Sequence, residues 1–319
     1  MIDKELRVAG FFLSLMPASR RAFKLMHFFM DRQKGTDIDE LQCDEVLVQR
    51  KKANSEIRVR TYRPKRSEGN LPGLLYLHGG GYLMGVPEMA HAQIEMFIKT
   101  RNCVVVAPDY RKSVDAPYPA ALEDAYDTLL WMKNNAEKLG IRSDQIMIGG
   151  HSAGGGLTAA TCLYARDQNE VKVAFQMPLY PMIDDRMTNE SAVSNTAPVW
   201  NSKANEIGWG LYLKDYQQKG LAIPNYAAPS RTTDYSNLPP AVTFVGDLEP
   251  FRDETIEFVE NLKKAGVPVQ FELFEGCFHA FETVVPDAKV SKAANRLLTE
   301  AFAHAVDHYY APQPESESE

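Results

Sequence analysis

Ser152 stands inside Gly149-Gly150-His151-Ser152-Ala153-Gly154-Gly155, a G-x-S-x-G turn, and the chain carries His78-Gly79-Gly80-Gly81-Tyr82 upstream of it. A serine hydroxyl becomes a nucleophile when a base can take its proton. A glycine loop lets successive backbone N–H groups converge on the oxyanion that such an attack creates. The two motifs together therefore describe both halves of an acyl-transfer site. The expected oxyanion donors are the N–H groups of Gly80, Gly81 and Ala153. A phosphate-binding loop would need a Gly-Lys-Ser/Thr ending, which is absent, and the glycine spacing fits a dinucleotide fingerprint poorly.

The serine needs a base, and the base needs an orienting acid. Of seven histidines, only His279, His304 and His308 follow Ser152, as the order serine, acid, histidine requires. His304 and His308 fall in a helical stretch and read as a solvated face rather than a metal pair. His279 lies in Glu275-Gly276-Cys277-Phe278-His279-Ala280-Phe281, just after a strand-like run at 267–274, where a base belongs. His78 reads as a brace for the glycine loop. The acid should follow the apolar run at 240–245, where Asp247, Glu249, Asp253 and Glu254 compete. Asp253 and Glu254 suit a first helical turn, where acids favour the dipole. Asp247 and Glu249 are both placed to reach His279, and spacing does not separate them.

The elements that must hold these groups are legible as apolar runs. Residues 74–77 and 145–148 read as buried strands ahead of the two glycine motifs, and 156–165 reads as the helix after the serine. Residues 46–48 and 57–62 suggest an early hairpin. Residues 103–107 and 173–177 are further strands, and 120–138 is a helix ending near Gly140. Strands alternating with helices predict a mostly parallel sheet with helices on both faces. Residues 184–234 break the rhythm and carry Trp200, Trp209, Tyr212 and Tyr216, which could line a pocket or form their own core.

The whole pattern resembles the hormone-sensitive lipase family of α/β-hydrolases, in its microbial esterase branch. The likeness runs over residues 60–310. It rests on the HGGGY loop, the serine turn, Asp109-Tyr110-Arg111, Tyr180-Pro181-Met182-Ile183-Asp184-Asp185-Arg186, Glu249-Pro250-Phe251-Arg252-Asp253-Glu254 and the segment around His279. The family usually reads D-P-L-R-D-E where this chain has Glu249 first, so the resemblance assigns Glu249 as the acid, with Glu for Asp. His151 likewise replaces the usual Asp or Thr before the serine. The resemblance implies an α/β-hydrolase fold with a helical cap. The cap would be built from residues 1–40 and an insertion at 184–234, over a catalytic domain at 41–183 and 235–311. It implies hydrolysis of short-chain acyl esters without any cofactor, and a homodimer is what it offers on assembly. Amidase, thioesterase, deacetylase or transacylase chemistry would use the same groups. A non-catalytic ligand receptor on this fold would be expected to lack the histidine.

The 319 residues, 45% of them hydrophobic, suit one large α/β domain with a smaller attached element. Net charge is −7 with no basic stripe, so nucleic acid is not an expected partner. Cys43, Cys103, Cys162 and Cys277 lack metal or redox spacing and suit the cytoplasm. Residues 11–16 are too short an apolar run for a membrane span. The N-terminal segment with Arg20, Arg21 and Lys24 among Phe23, Leu25, Phe28 and Phe29 looks amphipathic; it reads as a membrane-surface segment or, preferred, as part of a lid packed over the site. The tail 312–319 is acidic, poor in apolar residues and expected to be disordered.

Overall fold

The computed structural model describes residues 1–314. Eight strands form one sheet: β1 (Leu41–Gln49), β2 (Glu56–Pro64), β3 (Leu71–Leu77), β4 (Val104–Pro108), β5 (Ile141–His151), β6 (Phe175–Leu179), β7 (Ala241–Gly246) and β8 (Val269–Phe274). Their spatial order is β1-β2-β4-β3-β5-β6-β7-β8, and β2 alone runs against the rest. The mostly parallel sheet expected from the alternation is therefore present.

Apolar runs become central strands here because helices cover both faces. Successive residues of β3 divide between two cores. Leu75 and Leu77 join one cluster with Val104, Val106 and Ile148, while Leu74 and Tyr76 join the other with Val105 and Met147. The first core packs under the helices Ala120–Asn134 and Ala153–Gln168, the second under His91–Thr100 and Lys289–His308. β3, β4 and the middle of β5 are buried throughout.

Several boundaries differ from expectation for local reasons. The helix expected over 120–138 breaks at Asn135, whose side-chain amide donates to the Trp131 carbonyl at 2.9 Å, and a separate short helix covers Ala136–Leu139. The hairpin is longer than its apolar core suggested, with Leu41 paired to Pro64. β8 begins at Val269, just past Pro268, which has no N–H to give a ladder. The segment after β6 carries two helices, Ser202–Tyr212 and Lys214–Lys219. The tail expected to be disordered is tied down as far as Gln313. Its side chain donates to the carbonyls of Ser143 (2.7 Å) and Lys172 (3.0 Å). The rest of that expectation, at 315–319, lies outside the described residues.

Parallel register positions the chemistry. Leu77 of β3 pairs with Gly150 of β5, so the HGGGY loop and the serine turn leave adjacent strands side by side. Gly246 of β7 pairs with Phe274 of β8, which brings the Glu249 and His279 loops together in the same way. Both pairs of loops sit at the carboxyl ends of parallel strands, where open α/β sheets place their ligands.

Candidate active site

Ser152 has φ +59° and ψ −122°, a backbone conformation that L-residues rarely adopt. The surroundings enforce it. The Ser152 N–H donates to the Leu179 carbonyl at 3.0 Å, and its own carbonyl accepts from Gly156 and Met182. The helix that follows crosses β3 so closely that a Cβ at Gly154 would lie 2.0 Å from the Leu77 carbonyl oxygen. The turn thus lifts the Ser152 hydroxyl above the sheet at the N-terminus of Ala153–Gln168.

The hydroxyl meets His279 Nε2 at 2.8 Å, and His279 Nδ1 meets Glu249 Oε2 at 2.5 Å. All three residues are buried, Glu249 completely. The second Glu249 oxygen accepts the Gly246 N–H at 3.0 Å, which folds the longer side chain back toward its own strand end. Asp247 turns elsewhere: its carboxylate accepts from the Cys277 N–H at 3.3 Å. The imidazole is held edge-on between Tyr180 and Phe251, at ring-centroid distances of 5.0 and 5.1 Å. His304 and His308 lie on the exposed face of the last helix, as expected.

Across from the hydroxyl, the N–H groups of Gly80, Gly81 and Ala153 have no acceptor among the described residues. The Gly79 N–H differs, because it donates to His151 Nε2 at 3.1 Å. That bond leaves the imidazole proton on Nδ1, which faces the Tyr76 hydroxyl at 3.2 Å. Burial, with the neighbouring His279, pushes His151 down to about 4. His78 braces the loop as expected, donating from Nδ1 to the Gly79 carbonyl at 2.7 Å and stacking on Tyr110 at 4.2 Å. Burial, then the nearby Lys112 charge, holds His78 well below the ordinary histidine value. Both imidazoles are therefore neutral at pH 7.

Asp253 and Glu254 do open the helix Arg252–Lys264, but their oxygens serve another segment. Glu254 accepts from the N–H groups of Ile183 and Asp184 at 2.8 and 3.2 Å, and Asp253 accepts from Ser191 at 2.8 Å. They anchor the start of the long insertion after β6. Burial pushes the Glu254 carboxyl well above its ordinary value. Sequence reasoning missed this role because nothing local announces it.

A cavity of about 230 Å³ opens onto Ser152 and His279. Phe23, Met26 and Met30 from an N-terminal helix, with Met84 and Trp200, form much of its wall. Of the four aromatics singled out in the insertion, only Trp200 borders this cavity. Trp209 and Tyr212 pack against Tyr82 in the core, and Tyr216 lines a separate cleft beside Tyr118. Trp200 also fits tightly against the glycine loop. Gly81 has φ +61°, and a Cβ there would lie 2.1 Å from the indole ring.

A family model described as alpha/beta hydrolase fold matches residues 74–283. An arylesterase of Saccharolobus solfataricus is 31% identical over 71% of this chain and 73% of its own length. Esterase LipI of Mycobacterium tuberculosis is 32% identical over 76% of each chain. Among solved structures, a bacterial heroin esterase superposes with a TM-score of 0.87 at 31% identity, over 96% of this chain and 98% of its own.

Proposed function

We propose a residue-level mechanism for this chain, which belongs to the hormone-sensitive lipase-like esterases of the α/β-hydrolase fold and is a carboxylic ester hydrolase. Ser152 is the nucleophile, His279 the general base and Glu249 the acid that orients it. The observation that carries the assignment is the continuous buried relay from Ser152 Oγ through both ring nitrogens of His279 to Glu249.

In the first step His279 Nε2 takes the hydroxyl proton as Ser152 Oγ attacks the ester carbonyl. Glu249 stabilises the imidazolium. The N–H groups of Gly80, Gly81 and Ala153, free of internal acceptors, bind the oxyanion. Collapse of the tetrahedral intermediate breaks the ester C–O bond, and His279 returns the proton to the departing alcohol. Water then attacks the acyl-serine with the same base, releasing acid and regenerating Ser152. We assign the cap role to the N-terminal helices and the insertion at 184–234, whose residues wall the cavity. Short acyl groups fit its size, which lies below the range of drug-sized pockets. The four cysteines are free, as a reducing cytoplasm would keep them, and that location belongs to the same proposal.

A panel of p-nitrophenyl esters, from acetate to decanoate, tests the reading with wild type and Ser152→Ala. Acetate to hexanoate should turn over best, and the substitution should cost at least about 10³-fold in kcat. Turnover that survives Ser152→Ala would remove the serine from the mechanism.

A further inference from the structure

The two N-terminal helices, α1 (Arg7–Ser14) and α2 (Arg20–Met30), each have an inner and an outer face. The inner faces are accounted for. Leu6 and Gly10 pack inward, and Leu13, Phe23, Met26 and Met30 border the active-site cavity. The outer faces are also apolar. Phe11 is 62% exposed, Phe12 65%, Leu15 66%, Phe28 55% and Phe29 53%. A helix apolar nearly all round, as α1 is, is normally enclosed on every side, while the outer face of α2 sets Leu25, Phe28 and Phe29 beside Arg20, Arg21 and Lys24. Here one side is left open, with Phe11 beside Phe12 and Phe28 beside Phe29 in edge-to-face pairs, and Met16, half exposed and next to Leu15, also lines the cavity.

Charge says what covers it. From Leu6 to Met30 the chain contains Arg7, Arg20, Arg21 and Lys24 and no acid, although the whole chain is at −7. These four cations are all exposed. Arg32 extends the series, with its guanidinium 4.7 Å from the Phe28 ring centroid. Acids appear only at the margins: Asp3 and Glu5 precede the segment, Glu5 accepting from the Lys289 N–H at 2.7 Å, Asp31 is paired with Lys34 at 3.1 Å, and Asp115 sits across a groove from Arg20 and Lys24. A two-fold contact between copies through this face would set one positively charged patch against another, which costs energy. An anionic lipid surface satisfies both properties at once, taking aromatic and leucine side chains into the headgroup boundary and basic ones at its plane. Among the described residues no helix is long and apolar enough to cross a membrane, so the contact is peripheral.

We propose that the outer face of α1 and α2 docks reversibly on anionic lipid surfaces. The cavity mouth then faces the membrane, and esters dissolved in the lipid reach Ser152 without crossing bulk water. The docking itself does not depend on the catalytic assignment; only its consequence for substrate delivery does.

The test is co-sedimentation of the full chain with vesicles of phosphatidylcholine alone and of an equal mixture with phosphatidylglycerol, at low and high salt. Ser152→Ala is run in parallel, so binding is read independently of turnover. Binding should favour the anionic vesicles and weaken with salt. Phe11→Ser with Phe12→Ser, or Phe28→Ser with Phe29→Ser, should abolish it. Arg20→Glu or Arg21→Glu should each lower partitioning by about 5-fold or more. Turnover of dissolved p-nitrophenyl acetate should stay within about 2-fold in these variants, because none of the altered side chains borders the cavity. No binding to anionic vesicles at low salt overturns the proposal. Binding that ignores lipid charge overturns the anionic assignment. A dimer in sedimentation velocity that the phenylalanine variants dissociate, without vesicle binding, makes the face a contact between copies and overturns it as well.

Discussion

His151 Nε2 accepts the Gly79 N–H at 3.1 Å, so the residue just before the proposed nucleophile holds the glycine loop that faces it. The bond crosses between the ends of β3 and β5 and fixes the distance between Ser152 and the proposed oxyanion donors. Replacing His151 with Phe removes the acceptor and leaves a buried N–H unpaired. We expect kcat to fall about 10- to 100-fold with little change in KM, since the loss is felt in the transition state. His151→Gln, which retains an acceptor, should recover part of it. Equal kinetics for Phe and Gln at this position would show that the bond does not position the loop.

Acid should destabilise the protein through the same residue. The folded state holds His151 at about 4 against an ordinary value of 6.5. As pH falls below about 6.5 the unfolded chain takes the proton first, and the folded chain resists until about 4. Stability from this group is therefore complete above pH 6.5, declines between about 6.5 and 4, and is flat below. His78 shifts in the same direction. The His151 share is at most about 3 kcal/mol, less where the ring faces water in the cavity. Urea midpoints measured across this range should slope less in His151→Gln than in wild type.

Glu249→Gln keeps the shape of the proposed acid but removes its charge, and its amide can leave the imidazole in the wrong tautomer. A loss of about 10²- to 10⁴-fold in kcat is expected, with the fold unchanged by circular dichroism. Asp247→Asn should cost no more than a few-fold, because Asp247 contacts the Cys277 backbone and not the imidazole. The reverse ranking would move the acid to Asp247.

Gly81→Ala meets two obstacles, a positive φ and the indole of Trp200. The single substitution should lower kcat/KM by about 10²-fold or more as the loop shifts. Adding Trp200→Ala removes the steric obstacle but not the backbone strain, which costs about 1–2 kcal/mol. The double variant should therefore recover part of the activity on acetate and accept bulkier acyl groups. If it is no better than the single variant, the indole is not what confines the loop.

Much of the site was legible in the chain because its parts are local. A strained strand–turn–helix needs small residues on both sides of Ser152, and a loop that presents bare N–H groups needs Gly80 and Gly81. Residues 74–77 and 145–148 read correctly as strands because, Gln145 apart, they are apolar at each position, as strands covered on both faces tend to be. Counting histidines after Ser152 left three, and the loop position of His279 marked it as the expected base; its ring stands 2.8 Å from the hydroxyl.

What the chain could not reveal alone are choices between neighbours made by non-local contacts. Asp247 and Glu249 sit two residues apart on one loop. The loop's bond from Asp247 N–H to the Phe274 carbonyl turns one carboxyl toward Cys277, while the Gly246 N–H folds the other back to His279. Trp200, Trp209 and Tyr216 are all aromatic and share one insertion, yet only Trp200 reaches the cavity. Glu254 looks like a helix-opening acid, and its bonds to Ile183 and Asp184 span a long stretch of chain. Local sequence thus determined which groups exist and what strain shapes them, through short-range sterics and hydrogen bonding. The packed sheet decided which group meets which, because that depends on strand register and on side chains brought together from distant parts of the chain.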